Sequence, residues 1–80
     1  MFRRRYGRLQ RQADRCFIAN EGQEVSGPEL RSWCFPRAVW IEQRPITEYE
    51  RQSMIRAARS IGAYRVRREG RQWVWRLEGD

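Results

Sequence analysis

Apolar residues return along the first quarter of the chain at spacings of three and four. Phe2, Tyr6, Leu9, Ala13 and Cys16/Phe17 mark one face of a helix. Arg4, Arg5, Arg8, Arg11 and Arg15 fill much of the rest. Gly7 weakens a helix by up to about 1 kcal/mol relative to alanine. Firm helix is therefore expected from about Arg8, with residues 1–7 as a frayed basic arm. Asn20-Glu21-Gly22 supplies its stop. Gln23-Glu24-Val25 reads as a short extended piece. Ser26-Gly27-Pro28-Glu29 is a capping box with proline in the first turn, where its missing N–H does no harm. It opens a short helix whose inner stripe is Leu30, Trp33 and Cys34, closed by Pro36.

A second capping box, Thr47-Glu48-Tyr49-Glu50, follows Pro45 and predicts a helix from Glu48 to Ile61 with Gly62 as a left-handed stop. At 100° per residue, Glu50, Met54, Ala57, Ala58 and Ile61 gather on one side, with Ile55 at its edge. Tyr49, Gln52, Ser53, Arg56, Arg59 and Ser60 gather on the other, a small polar face with two arginines.

Two strands are expected next, Tyr64–Arg68 and Arg71–Leu77, around a Glu69-Gly70 turn. A two-residue loop there pairs Arg68 with Arg71, Val66 with Trp73 and Tyr64 with Trp75. That register gives an aromatic inner face, completed by Leu77, and an outer face of Arg65, Arg67, Gln72, Val74 and Arg76. Between the second and third helices, Pro36 to Ile46 is an eleven-residue connection. Trp40, between Val39 and Ile41, is expected to pin it to the core; a helical turn over Arg37–Gln43 is the alternative.

Charge adds a direction to this outline. The 80 residues carry +7, and every one of the 17 basic residues is arginine. Six arginines against one aspartate fall in residues 1–15, and nine against five acids in residues 44–80. Between them, residues 16–43 are net acidic. A basic surface on one small domain favours a polyanion. With 40% apolar residues, four Trp, three Tyr and three Phe, the chain can still form a core. Apolar runs such as Ala38–Ile41 are far too short to span a membrane. The Met1–Arg5 start has no apolar stretch behind it, so no signal peptide is expected. Cys16 and Cys34, with no histidine, cannot make a zinc site; they read as buried thiols of a cytosolic protein, with a disulfide as the alternative in an exported one.

A capped helix running straight into a basic hairpin resembles the second half of a winged helix-turn-helix domain. The resemblance implies a single α+β domain over residues 1–80, with three helices and a C-terminal two-stranded hairpin wing. It implies that the helix at about 48–61 enters the major groove of double-stranded DNA and that the hairpin at 64–77 is the wing. Tyr49, Gln52, Ser53, Arg56, Arg59 and Ser60 then become the readers, since arginine pairs with guanine and glutamine with adenine. Arg65, Arg67, Arg68 and Arg71 become wing contacts to phosphates or a narrow minor groove. Arg3, Arg4 and Arg5 become an arm along the backbone. Each has a plainer reading: a solvated helix face, edge-strand charges that block aggregation, and a solvated terminus.

Enzymatic chemistry finds little support. There is no histidine, phosphate loop or nucleophile elbow. No cofactor or small-molecule substrate is expected. The preferred reading is a small transcriptional regulator or a phage- or plasmid-type accessory factor. It would be cytoplasmic, nucleoid-associated if bacterial, with a second copy or another regulatory protein as further partner. The alternatives are an RNA-binding protein using the arginine arm and a winged-helix protein-interaction module.

Overall fold

The computed structural model describes residues 7–77, so the Arg3–Arg5 arm lies outside the described residues. Three α-helices and three strands run in the order α1 (Arg8–Ala19), β1 (Val25–Ser26), α2 (Gly27–Cys34), α3 (Glu48–Ser60), β2 (Ala63–Glu69) and β3 (Gln72–Leu77). A π-helical turn, Arg37–Ile41, sits between α2 and α3. It is a fourth helical segment where three were expected. The sheet is antiparallel throughout, in the order β1-β3-β2. The fold is thus a small α+β arrangement in which α2 and α3 pack against a three-stranded sheet and α1 packs on those two helices.

Local chemistry accounts for most element ends. The side chain of Gln10 accepts the Gly7 N–H at 2.6 Å and starts α1. Glu21 and Gly22 close it with φ of 57° and 73°, and the Gly22 N–H returns to the Phe17 carbonyl at 3.0 Å. The α3 capping box is complete: Thr47 Oγ1 accepts the Glu50 N–H at 3.1 Å, and Glu50 Oε1 accepts the Thr47 N–H at 2.8 Å. Gly62, at φ 98°, stops the helix. The α2 box is only half made. Ser26 Oγ accepts the Glu29 N–H, but the Glu29 carboxylate instead takes the Asn20 side-chain amide at 2.8 Å and ties the end of α1 to α2.

The core draws on every layer: Ala13, Cys16 and Phe17 of α1, Val25 of β1, Leu30 and Cys34 of α2, Met54, Ile55 and Ala58 of α3, Ala63 and Trp75 of the hairpin. Trp40 is not in it. The π turn buries Ala38 and leaves Trp40 and Ile41 67% and 72% exposed, which corrects the expectation that Trp40 anchors the connection. In the wider turn the Glu42 N–H reaches back five residues to Arg37, and this rotation puts the small residue inward.

The hairpin register also differs from the expected one. Its two-residue loop is Gly70-Arg71, with Gly70 first at φ 65°, so Glu69 pairs with Gln72 and Arg68 with Trp73. Seven residues of β2 then face six of β3, and the odd one, Val66, leaves the ladder as a β-bulge. Beyond it, Arg65 pairs with Trp75, Tyr64 with Arg76 and Ala63 with Leu77. Val66 therefore does not lie across from Trp73. The face expected to hold Tyr64 and Val66 beside the tryptophans holds Arg65 and Arg68 instead.

Candidate nucleic-acid interface

The polar face of α3 is where the periodicity predicts it. Tyr49 is 77% exposed, and Gln52, Arg56 and Arg59 are exposed with it. The side chains of Arg56 and Arg59 make no ion pair or hydrogen bond among the described residues. Ser53 is half-buried, and Ser60 is tied down: its hydroxyl donates to the Ala57 carbonyl at 2.7 Å and accepts from Gln10 of α1 at 2.8 Å. The acids of the first turn are already neutralised. Glu48 is held by Arg51 at 2.6 and 3.1 Å and also accepts from Gln52 at 2.9 Å. Glu50 is held by Arg44 at 3.0 and 3.1 Å. The Arg44 guanidinium, with the Thr47 backbone N–H, pulls the Glu50 carboxyl down to about 2.

The hairpin sets two arginines against its own tryptophans. The Arg65 guanidinium lies 4.7 Å from the Trp73 ring centroid and 5.3 Å from that of Trp75, and Arg68 lies 5.5 Å from Trp73. Burial first, then the charges of Arg59, Arg51 and Arg68, push the Arg65 pKa below its ordinary value. Arginines of α3 and of the hairpin are therefore close enough to repel one another. The Arg65 Nε is buried and has no hydrogen-bond partner among the described residues.

Arg67 is separated from this group. It pairs with Val74 on the opposite face of the sheet. There it bridges Glu24 at 2.7 Å and Glu69 at 3.0 Å, and both carboxylates raise its pKa. Arg71 stands in the turn and lines a cleft between the hairpin and α3, together with Arg31 and Arg51. Neither Arg31 nor Arg51 was among the expected site residues. Arg51 had a readable signal: at 100° per residue it falls between Met54 and Ile55, at the margin of the packed stripe, where a long side chain must emerge beside the neighbouring element. Arg31 carried no such signal.

No group of three or more metal-ligating side chains occurs among the described residues. Cys16 and Cys34 are free and buried, and burial pushes their thiols up to about 12 and about 11. No helix among the described residues is long and apolar enough to cross a membrane. Neither protein-family models, nor curated proteins, nor solved structures yield a match to this chain.

Proposed function

We propose that this chain is a winged helix-turn-helix protein that binds double-stranded DNA, with α3 in the major groove and the β2–β3 hairpin as its wing. The observation that carries the reading is the convergence of Arg59 of α3 with Arg65 and Arg68 of the hairpin, beside the exposed Arg56 on the same helix. These four arginines have no ion-pair partner among the described residues, while the neighbouring acids Glu48 and Glu50 are occupied. A groove that accepts an α-helix accepts one whose exposed side chains are Tyr49, Gln52 and Arg56. The element order, with α3 leading directly into the hairpin and β1 added beside β3, supports the winged-helix assignment. Regulation of transcription follows as the role for such a binder.

Fluorescence anisotropy on duplex DNA, duplex RNA and single strands across a salt series tests the reading. Steep salt dependence with duplex DNA preferred is the expected result. Preference for RNA transfers the function to an RNA-binding protein. No binding at low salt leaves a protein-interaction module, a reading favoured by the exposed Trp40 and Ile41.

A further inference from the structure

The cleft between α3 and the aromatic face of the hairpin has a volume of about 340 Å³. Ile46, Met54 and Trp75 give it apolar walls, and Arg31, Arg65 and Arg71 give it charge; no carboxylate among the described residues lines it. We propose that this cleft is an oxyanion site that takes a phosphate group, with Arg65 at its centre.

Two features single out Arg65. Its guanidinium carbon lies 4.7 Å from the Trp73 centroid and 5.3 Å from that of Trp75, so the side chain is already partly ordered before a ligand engages it. Its Nε is a buried donor with no hydrogen-bond partner among the described residues, a costly state that a phosphate oxygen would relieve once the guanidinium turns that edge toward the cleft. Nε and an adjacent Nη together present the fork that grips a phosphate side-on. Arg31 and Arg71 make no ion pair among the described residues and are available to share the ligand. Arg51 is braced by Glu48 and serves as wall rather than ligand. The mutual repulsion of Arg65 with Arg59, Arg51 and Arg68 marks an excess of positive charge that an anion would balance. Three arginines suit a phosphate better than a single carboxylate. The cleft is also larger than a bare phosphate, so the group arrives attached, either to a nucleic-acid backbone or to a free phosphorylated compound.

The test is a titration of the full chain with inorganic pyrophosphate, read by tryptophan fluorescence, with ionic strength held constant by sodium chloride. A saturable change is expected. Arg65→Lys, which keeps the charge and loses the fork, should weaken binding by about tenfold or more. Arg31→Gln with Arg71→Gln should weaken it by a similar factor, whereas Arg15→Gln, a surface charge on α1, should not. No saturation, or equal losses in the cleft variants and Arg15→Gln, overturns the proposal. If circular dichroism shows Arg65→Lys unfolded, the Arg31/Arg71 pair decides by the same comparison. This titration contains no DNA, so it stands or falls apart from the DNA-binding reading. A second arm adds pyrophosphate to labelled duplex bound to the protein. Displacement assigns the phosphate to the nucleic-acid backbone; a ternary complex assigns it to a free phosphorylated compound.

Discussion

Arg65 stands opposite Trp75 in the sheet because Val66 bulges out of β2. Continued without the bulge, the register at the hairpin tip would set Val66 there. The bulge thus exchanges a valine for an arginine on a face shared with the core, the re-aiming that bulges perform near sites. Arg65→Leu should separate the two roles of this position. It removes a buried unsatisfied donor and a stacked cation, terms of opposite sign and similar size, so stability should stay within about 1 kcal/mol of wild type. Nucleic-acid affinity should fall. Thermal melting with anisotropy on the same samples checks both, and a large stability loss would mean that Arg65 is chiefly structural.

Arg56 lies mid-helix on the exposed face, away from the core stripe of Met54, Ala57 and Ala58. Arg56→Ala should cost about 1–3 kcal/mol on a specific site and relax preference at one or two base pairs, with the fold intact. Selection from a random DNA pool at fixed salt compares it with wild type. Equal enrichment of the same sequences would remove α3 as the reader.

The two adjacent wing arginines should behave differently. Arg68 faces the cleft side with Trp73, whereas Arg67 is committed to Glu24 and Glu69 on the other face. Arg68→Ala should flatten the plot of log K against log salt by about 0.9, one phosphate contact. Arg67→Ala should leave that slope unchanged. The reverse pattern would turn the hairpin over.

Acid should loosen the start of α3. Glu50 has its carboxyl depressed from an ordinary 4.5 to about 2, chiefly by Arg44. A depressed folded-state value means stability that is fully present above pH 4.5 and lost as pH falls toward 2. Glu24, Glu42 and Glu48 are shifted the same way by their arginine partners. Glu50→Gln keeps the hydrogen bonds of the capping box and removes the charge. Its melting temperature should lie below wild type at pH 7, and the gap should close between pH 4.5 and 2. A gap independent of pH would assign the effect to packing.

The buried thiols give a simple chemical check. With Cys16 raised to about 12 and Cys34 to about 11, almost no thiolate exists at pH 8, and neither sulfur is exposed. Alkylation by iodoacetamide should be slow in the native protein and fast in urea. Rapid native labelling of either residue would show that the α1–α2 contact opens.

Sequence signals located what local chemistry decides. The start of α1 at Arg8, the Thr47–Glu50 box and the polar face of α3 all follow from neighbours a few residues apart, whereas the extended piece expected at Gln23-Glu24-Val25 becomes a strand at Val25–Ser26 only by pairing with β3. The hairpin register did not follow, because Gly70 suits either loop position and only the pairing of Ala63 with Leu77 at the far end reveals the extra residue. Trp40 failed for a related reason. Its apolar neighbours were visible, but whether the turn faces them inward depends on how Ala38 meets the rest of the fold. The cleft was invisible because its arginines come from α2, α3, β2 and the turn, and no spacing links them.

The unequal strands leave Val66 as spare length in the chain. Removing it, or Arg67 beside it, would let six residues face six and still set Arg65 across from Trp75 and Ala63 across from Leu77. A one-residue deletion in the middle of a strand usually reverses every side chain on one flank. Here the ladder would close over the gap. This hairpin can therefore change length at its midpoint while both of its ends stay where they are.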